Sequence, residues 1–232
     1  MHKFSRIKLV KISEISVKFF FRMKHNFIVI EGNIGSGKTT LAQKIAAQQN
    51  SKLMLEQFAE NPFLPKFYED KEKYAFPLEL SFLAERYQQL KTELTTQDLF
   101  QKIIISDYYF SKSLIFAKAN LKEDEFNLYS KLFNIIYGTL PKPDLLLYLY
   151  LDIPKLQKNI LKRGRAYEKN ISDEYLQKIQ TTYLDYLKQE IGMRILLVDI
   201  NNIDFVSNSE HYDWLLKTIN QDWKLGLNTI SL

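Results

Sequence analysis

Two rhythms of apolar residues run along the chain: short continuous runs, and longer stretches where apolar residues return every three or four positions. Phe27 to Ile30 predicts a buried strand, Leu53-Met54-Leu55-Glu56 a second that ends in a carboxylate, and residues 102–106, with Ile103, Ile104 and Ile105, a third. Residues 143–151 form the continuous apolar run that a central strand covered on both faces requires, and residues 195–198 predict the last strand. Helical spacing fills the intervals at 39–48, 74–94, 108–119, 123–137, from Asp152 and Pro154 to Lys162, 172–191 and 212–219. The stripe of the second of these is Phe76, Leu80, Leu83, Tyr87 and Leu90. Asn61 is placed to cap a short helix with Pro62 at its first position. The order β-α-β-α-α-β-α-α-β-α-α-β-α predicts an α/β fold, a five-stranded parallel sheet flanked by helices.

With 232 residues, 46% of them hydrophobic, the chain suffices for one large domain. It has no cysteine, which excludes disulfides and thiolate metal sites and is compatible with a reducing cytosol, so a cytoplasmic protein is expected. His2, His25 and His211 are scattered, against a histidine metal site or triad. No apolar run is long enough to span a bilayer, and no membrane partner is expected. Of the net charge of +5, residues 1–24 carry +6 (seven Lys/Arg against Glu14), leaving −1 for the rest. A nearly neutral globular part offers no basic groove, so no nucleic-acid partner is expected. Residues 1–22 form a basic, apolar extension: an amphipathic segment, a targeting peptide, or sequence upstream of a start at Met23, the reading favoured here, with the domain running over 23–232.

Chemistry concentrates first at Gly32-Asn33-Ile34-Gly35-Ser36-Gly37-Lys38-Thr39, followed by Thr40, which fits G-x-x-x-x-G-K-[ST] between a strand and a helix. Such a loop turns backbone N–H groups and a helix N-terminus toward phosphate, with Lys38 reaching the β/γ phosphates of ATP and the Thr39 hydroxyl on Mg²⁺. Glu56 ends a parallel strand and is therefore aimed at the same crevice. Asp107 closes the third strand and reads equally as a helix cap or a site carboxylate. Glu79 and Arg86, seven residues apart, share one helix face, which by itself reads as solvated. Arg163-Gly164-Arg165 is either a basic helix end or a short Arg-rich lid whose guanidiniums clamp a transferring phosphoryl group.

The loop, Glu56, Asn61-Pro62-Phe63-Leu64, Tyr68, the 76–90 helix with Arg86, Pro141-Lys142-Pro143-Asp144-Leu145 and Arg163-Gly164-Arg165-x-x-Glu168 together resemble the deoxynucleoside kinases. The bacterial deoxyadenosine/deoxyguanosine kinase branch is the one most similar. The resemblance implies a P-loop NTPase-type fold and transfer of phosphate from ATP to the 5′-hydroxyl of a deoxynucleoside, with Glu56 as general base. By the same resemblance Arg163 and Arg165 stabilise the γ-phosphoryl, Tyr68 and Glu168 hold the sugar 3′-hydroxyl, and Arg86 lies at the base pocket. Apolar stripes of the 74–94 and 123–137 helices would pair two subunits in a homodimer.

Two positions depart from the family pattern. Glu79 stands where the family usually has Gln; an ionised carboxylate only accepts hydrogen bonds, which suits guanine, with its N1–H and exocyclic amine, and opposes the acceptor N1 of adenine. The third strand ends Ser106-Asp107-Tyr108-Tyr109 where the family has an acidic-Arg-Ser motif. Asp107 retains the acid and could organise Mg²⁺ through water, while the charge of the absent Arg falls to Lys112 or the lid arginines. A nucleoside monophosphate kinase of the thymidylate type and a binding module with weakened catalysis remain the alternatives.

Overall fold

The computed structural model describes residues 23–57, 61–95, 102–168 and 170–232; the basic extension 1–22 lies outside them. Among the described residues six strands, not five, form the sheet: β1 (Phe27–Gly32), β2 (Lys52–Met54), β3 (Ile104–Ser106), β4 (Leu145–Tyr150), β5 (Arg194–Asp199) and β6 (Gly226–Ser231). All pairings are parallel, in the order β2-β3-β1-β4-β5-β6. The added strand β6 follows β5 from Arg194↔Gly226 to Asp199↔Ser231. It is an edge strand, half-buried or exposed throughout, so its sequence carries neither a continuous apolar run nor a clean alternation.

The helices are α1 (Lys38–Gln49), α2 (Phe63–Glu69), α3 (Lys71–Thr95), α4 (Ser111–Asn120), α5 (Glu123–Tyr137), α6 (Ile153–Arg163), α7 (Asp173–Gln189) and α8 (Ser209–Ile219). Helix α3 begins three residues earlier than its apolar stripe suggests, because the Asp70 carboxylate accepts the Lys73 N–H and starts the helix before Pro77. Helix α4 begins three residues later than expected, at Ser111.

Burial explains the order of the sheet. β1 and β4, the two innermost strands, are almost wholly apolar and buried along their length. The Asp144 carboxylate accepts the N–H groups of Asn26 (2.8 Å) and Phe27 (3.0 Å), which fixes where β1 enters beside β4. Since all strands run the same way, the loop after β1, Glu56 after β2 and Asp107 after β3 emerge at one edge.

On the far side of α4, Phe110 stacks on Phe133 of α5 (4.9 Å, 10°), and Phe133 on Tyr137 (5.1 Å, 21°). This stack docks α5, whose apolar face is otherwise only partly buried. Phe133→Ala should destabilise the fold by about 3–5 kcal/mol in urea unfolding; a loss under about 1 kcal/mol would show that the ring does not hold α5.

Candidate active site

Only glycine fits two turns of the loop after β1. Gly35 has φ +85°, and a Cβ there would lie 2.7 Å from the Leu156 carbonyl oxygen; at Gly32 one would lie 2.8 Å from that of Leu149. The buried Asn33 side chain accepts the Ile34 N–H and donates to the Leu176 carbonyl, both at 2.8 Å, tying the loop to α7. Asn159 of α6 donates to the Gly35 carbonyl at 2.8 Å. Lys38 Nζ donates to the Asn33 carbonyl at 2.9 Å, and Ser36 Oγ is buried with no hydrogen-bond partner among the described residues. Burial, then repulsion from Lys112, lowers the Lys38 pKa to about 8. An ammonium and a hydroxyl short of partners beside free helix N–H groups suit a phosphate.

Asp107 joins three strand ends. One oxygen accepts the Thr39 hydroxyl at 2.5 Å, the other the Glu56 N–H at 2.8 Å, and its own N–H donates to the Met54 carbonyl at 3.1 Å. Glu56 lies two residues beyond β2, and its carboxylate is shared between two cations. Arg86 Nε (2.9 Å) and Nη2 (2.7 Å) both reach Oε1, while Lys112 Nζ is 2.5 Å from Oε2. Burial alone raises the Glu56 pKa, but Lys112 and then Arg86 outweigh it and hold the value at about 2. Beneath them Glu31 of β1, 1% exposed, accepts the Tyr109 N–H (2.8 Å) and the Tyr183 hydroxyl (3.0 Å). Burial raises its pKa against the pull of Lys112 and Lys38.

Of these groups Lys38, Thr39, Glu56, Arg86, Asp107 and Lys112 line one end of a cavity. Glu79 is deep in the other end, 1% exposed; Asn120 donates to its Oε1 at 2.7 Å, and its Oε2 has no partner among the described residues. Burial raises its pKa to about 7 in spite of Arg86, the Asn120 hydrogen bond and Lys112. Phe82 packs under the Arg86 guanidinium at 4.7 Å, and Arg86 Nη1 donates to Ser113 at 2.8 Å. At the rim Tyr68 stacks on Tyr167 (6.0 Å, 21°), and the buried Glu168 accepts from Arg163 Nε (3.0 Å) and Arg165 Nη1 (3.2 Å). Burial raises the Tyr68 pKa, so its hydroxyl is a proton donor at any physiological pH.

The cavity thus gathers Lys38, Thr39, Glu56, Tyr68, Glu79, Arg86, Asp107, Arg163, Arg165 and Glu168, all expected from the sequence; Thr40, exposed on α1, does not line it. Lys112 lines it as well, and of the two sources of the strand-three charge it is the one on Glu56. Asn120 and Glu31 were not anticipated. Asn120 ends α4 in no motif, and Glu31 precedes the loop within an apolar strand; a lone carboxylate in such a run is the signal that marks it. As a metal site, Thr39 and Asp107 give one hydroxyl and one carboxylate, and among the described residues no group of three His, Cys, Asp or Glu could hold an ion. Such a pair fits a Mg²⁺ that keeps waters and takes its other ligands from phosphate. No described helix is long and apolar enough to cross a membrane.

Comparison with known proteins bears on the same region. The family model described as deoxynucleoside kinase matches residues 28–223. The chain is similar to a deoxyguanosine kinase of Bacillus subtilis (strain 168), with 36% identity over 81% of this chain and 92% of the relative. A deoxyadenosine kinase of Dictyostelium discoideum is 34% identical over 77% and 73% of the two chains. Among solved structures, a deoxyadenosine kinase of M. mycoides with bound dATP superposes with a TM-score of 0.73 at 25% identity, covering 84% of this chain and 99% of that one.

Proposed function

The chain belongs to the deoxynucleoside kinase family and phosphorylates a deoxynucleoside hydroxyl, and from that premise we propose that it transfers the γ-phosphoryl of ATP to the 5′-hydroxyl of a purine deoxynucleoside, deoxyguanosine before deoxyadenosine. The observation that carries this reading is Glu79: a buried carboxylate, one oxygen pinned by Asn120 and the other without a partner among the described residues, in the same cavity as Arg86. Guanine presents N1–H and N2–H donors to such an acceptor and its O6 acceptor to a guanidinium. Adenine N1 meets an ionised Glu79 acceptor to acceptor. The kinship with deoxyguanosine and deoxyadenosine kinases supports a purine substrate.

In the proposed reaction residues 32–40 cradle the β and γ phosphates, with Lys38 leaving the Asn33 carbonyl for them. Mg²⁺, when bound, neutralises phosphate charge, and Thr39 with Asp107 would hold it through its waters. Glu56, held near pKa 2, is a weak base toward a resting hydroxyl. It accepts the 5′-proton late, once the forming O–P bond has made that hydroxyl acidic. Arg163 and Arg165 turn from Glu168 to the phosphoryl oxygens, and Glu168 with Tyr68 takes the sugar 3′-hydroxyl. The need for ATP argues for a cytoplasmic enzyme, and residues 23–232 are proposed as its domain, starting at Met23. Helix α5 presents Leu128 (54% exposed), Leu132 (37%) and Ile135 (74%), with Leu80 of α3 (38%) also exposed, and we propose that a second copy covers this stripe.

A panel of acceptors with labelled ATP tests the function: deoxyguanosine should give the most product, whereas product from monophosphates alone, or more from deoxyadenosine, would overturn the reading. Glu56→Gln should lower kcat by about 10²-fold or more with little change in nucleoside affinity. Glu79→Gln should move the deoxyguanosine/deoxyadenosine ratio of kcat/KM by about 10–100-fold toward deoxyadenosine, since an unpaired buried group costs about 1–3 kcal/mol. The accepting form of Glu79 is lost as pH falls through about 7. Deoxyguanosine affinity should therefore weaken roughly fivefold from pH 7 to 6 and toward about tenfold per pH unit below, and Glu79→Gln should flatten that dependence. Ile135→Lys with Leu128→Lys should turn a dimer into a monomer by light scattering; a monomeric parent protein would exclude the proposed pairing.

A further inference from the structure

Resting on the phosphoryl-transfer reading, we propose that Lys112 is a catalytic residue: its ammonium passes from the Glu56 carboxylate to the transferring phosphoryl group as Glu56 takes the acceptor's proton. Lys112 lies outside the phosphate loop and the lid, in the first turn of α4, yet it is buried against the cavity that holds both. Its three N–H bonds set the argument. Glu56 Oε2 takes one at 2.5 Å, and the aromatic ring of Phe116 lies 5.5 Å away, which leaves donors for whatever fills the cavity.

Arg86 cannot do the same. Its Nε and Nη2 are both on Glu56 Oε1 and its Nη1 on Ser113, so it is anchored at both ends of the guanidinium. Lys112 and Lys38 line the same cavity, so an anion bound there meets both ammonium groups. Tyr108, where the family resemblance expects an arginine, is wholly buried in the core, and Lys112 follows it by four residues.

The step balances as an in-line displacement. The bond from the acceptor 5′-oxygen to the γ-phosphorus forms, the bond from that phosphorus to the bridging oxygen breaks, and its electron pair leaves with the diphosphate. The acceptor's proton goes to Glu56, which thereby loses the charge that held Lys112. At that moment negative charge is spread over the phosphoryl oxygens, and the ammonium moves to them without any change in its own protonation.

Lys112→Ala, assayed with ATP and the best deoxynucleoside, should lower kcat about 10²–10³-fold, with the nucleoside dissociation constant within about threefold of the parent. Added propylamine should restore at least about tenfold of the lost kcat in a saturable manner, and Lys112→Arg should retain more activity than Lys112→Ala. Lys112→Met, which keeps the aliphatic stem, should match Lys112→Ala in kcat while guarding against misfolding. A kcat within about threefold of the parent in both neutral variants would overturn the proposal, as would a loss that neither propylamine nor Arg relieves in folded protein. A parent enzyme that phosphorylates no deoxynucleoside would instead overturn the reading underneath it.

Discussion

Glu56 is nearly out of reach of water, and it keeps its charge there because each oxygen has its own cation, Arg86 on one and Lys112 on the other. Removing an ion from water costs several kcal/mol unless partners replace the lost solvation. The arrangement around Glu56 follows from that cost. Arg86 must be fixed to deliver two N–H bonds to one oxygen, and Ser113 fixes it; the Glu56 N–H must also be satisfied, and Asp107 accepts it. Asp107 in turn reaches Thr39, so the carboxylate, the phosphate loop and three strand ends are held by one chain of polar contacts. A parallel sheet makes this possible because it delivers those ends side by side.

The two carboxylates near Arg86 are driven in opposite directions. Glu56, with two cations in contact, stays low at about 2; Glu79, with an amide on one oxygen and nothing on the other, rises to about 7. Neither residue differs chemically from the other, so the separation comes wholly from contacts. That divides the cavity into an end whose carboxylate stays ionised among its cations through all physiological pH and an end whose carboxyl charge depends on what is bound. Transfer chemistry fits the first end and discrimination among bases the second.

Much of this was legible in the sequence. The phosphate loop was plain because its glycines are forced by backbone clashes, as at Gly35 against Leu156, and local spacing records such constraints. The internal strands were plain because burial on both faces leaves a continuous apolar run. Strand β6 was not, since an edge strand half in water needs no such run. Glu56, Arg86 and Asp107 were legible as strand-end or helix-face residues, but their mutual contacts were not, because they span sequence separations of 30 and 51 residues. Asn120 was invisible for the same reason: nothing local distinguishes the last residue of α4 from any exposed helix end, and its part is set by the Glu79 carboxylate of α3, whose Oε1 lies 2.7 Å from its side-chain amide. Lys112 was legible only as a replacement for a charge missing at Tyr108, and the sequence by itself could not separate it from the lid arginines.

The lid arginines show how the same rule reaches the rim. Arg163 and Arg165 both pair with Glu168, a buried carboxylate, so its charge is compensated and the cluster keeps one positive charge in excess. In the proposed reaction a γ-phosphate, carrying more charge over more oxygens, competes for the guanidiniums, and their departure strips Glu168 of its counter-ions. A sugar hydroxyl can then serve as the donor that Glu168 lacks, beside the Tyr68 hydroxyl, which burial keeps protonated. Filling the phosphate end therefore raises the demand for a donor at the sugar end, and an acceptor that offers no 3′-hydroxyl leaves a buried carboxylate uncompensated. In the proposed reaction this links donor and acceptor through one residue, because the carboxylate that loses its guanidiniums to the phosphate is the one that receives the sugar hydroxyl.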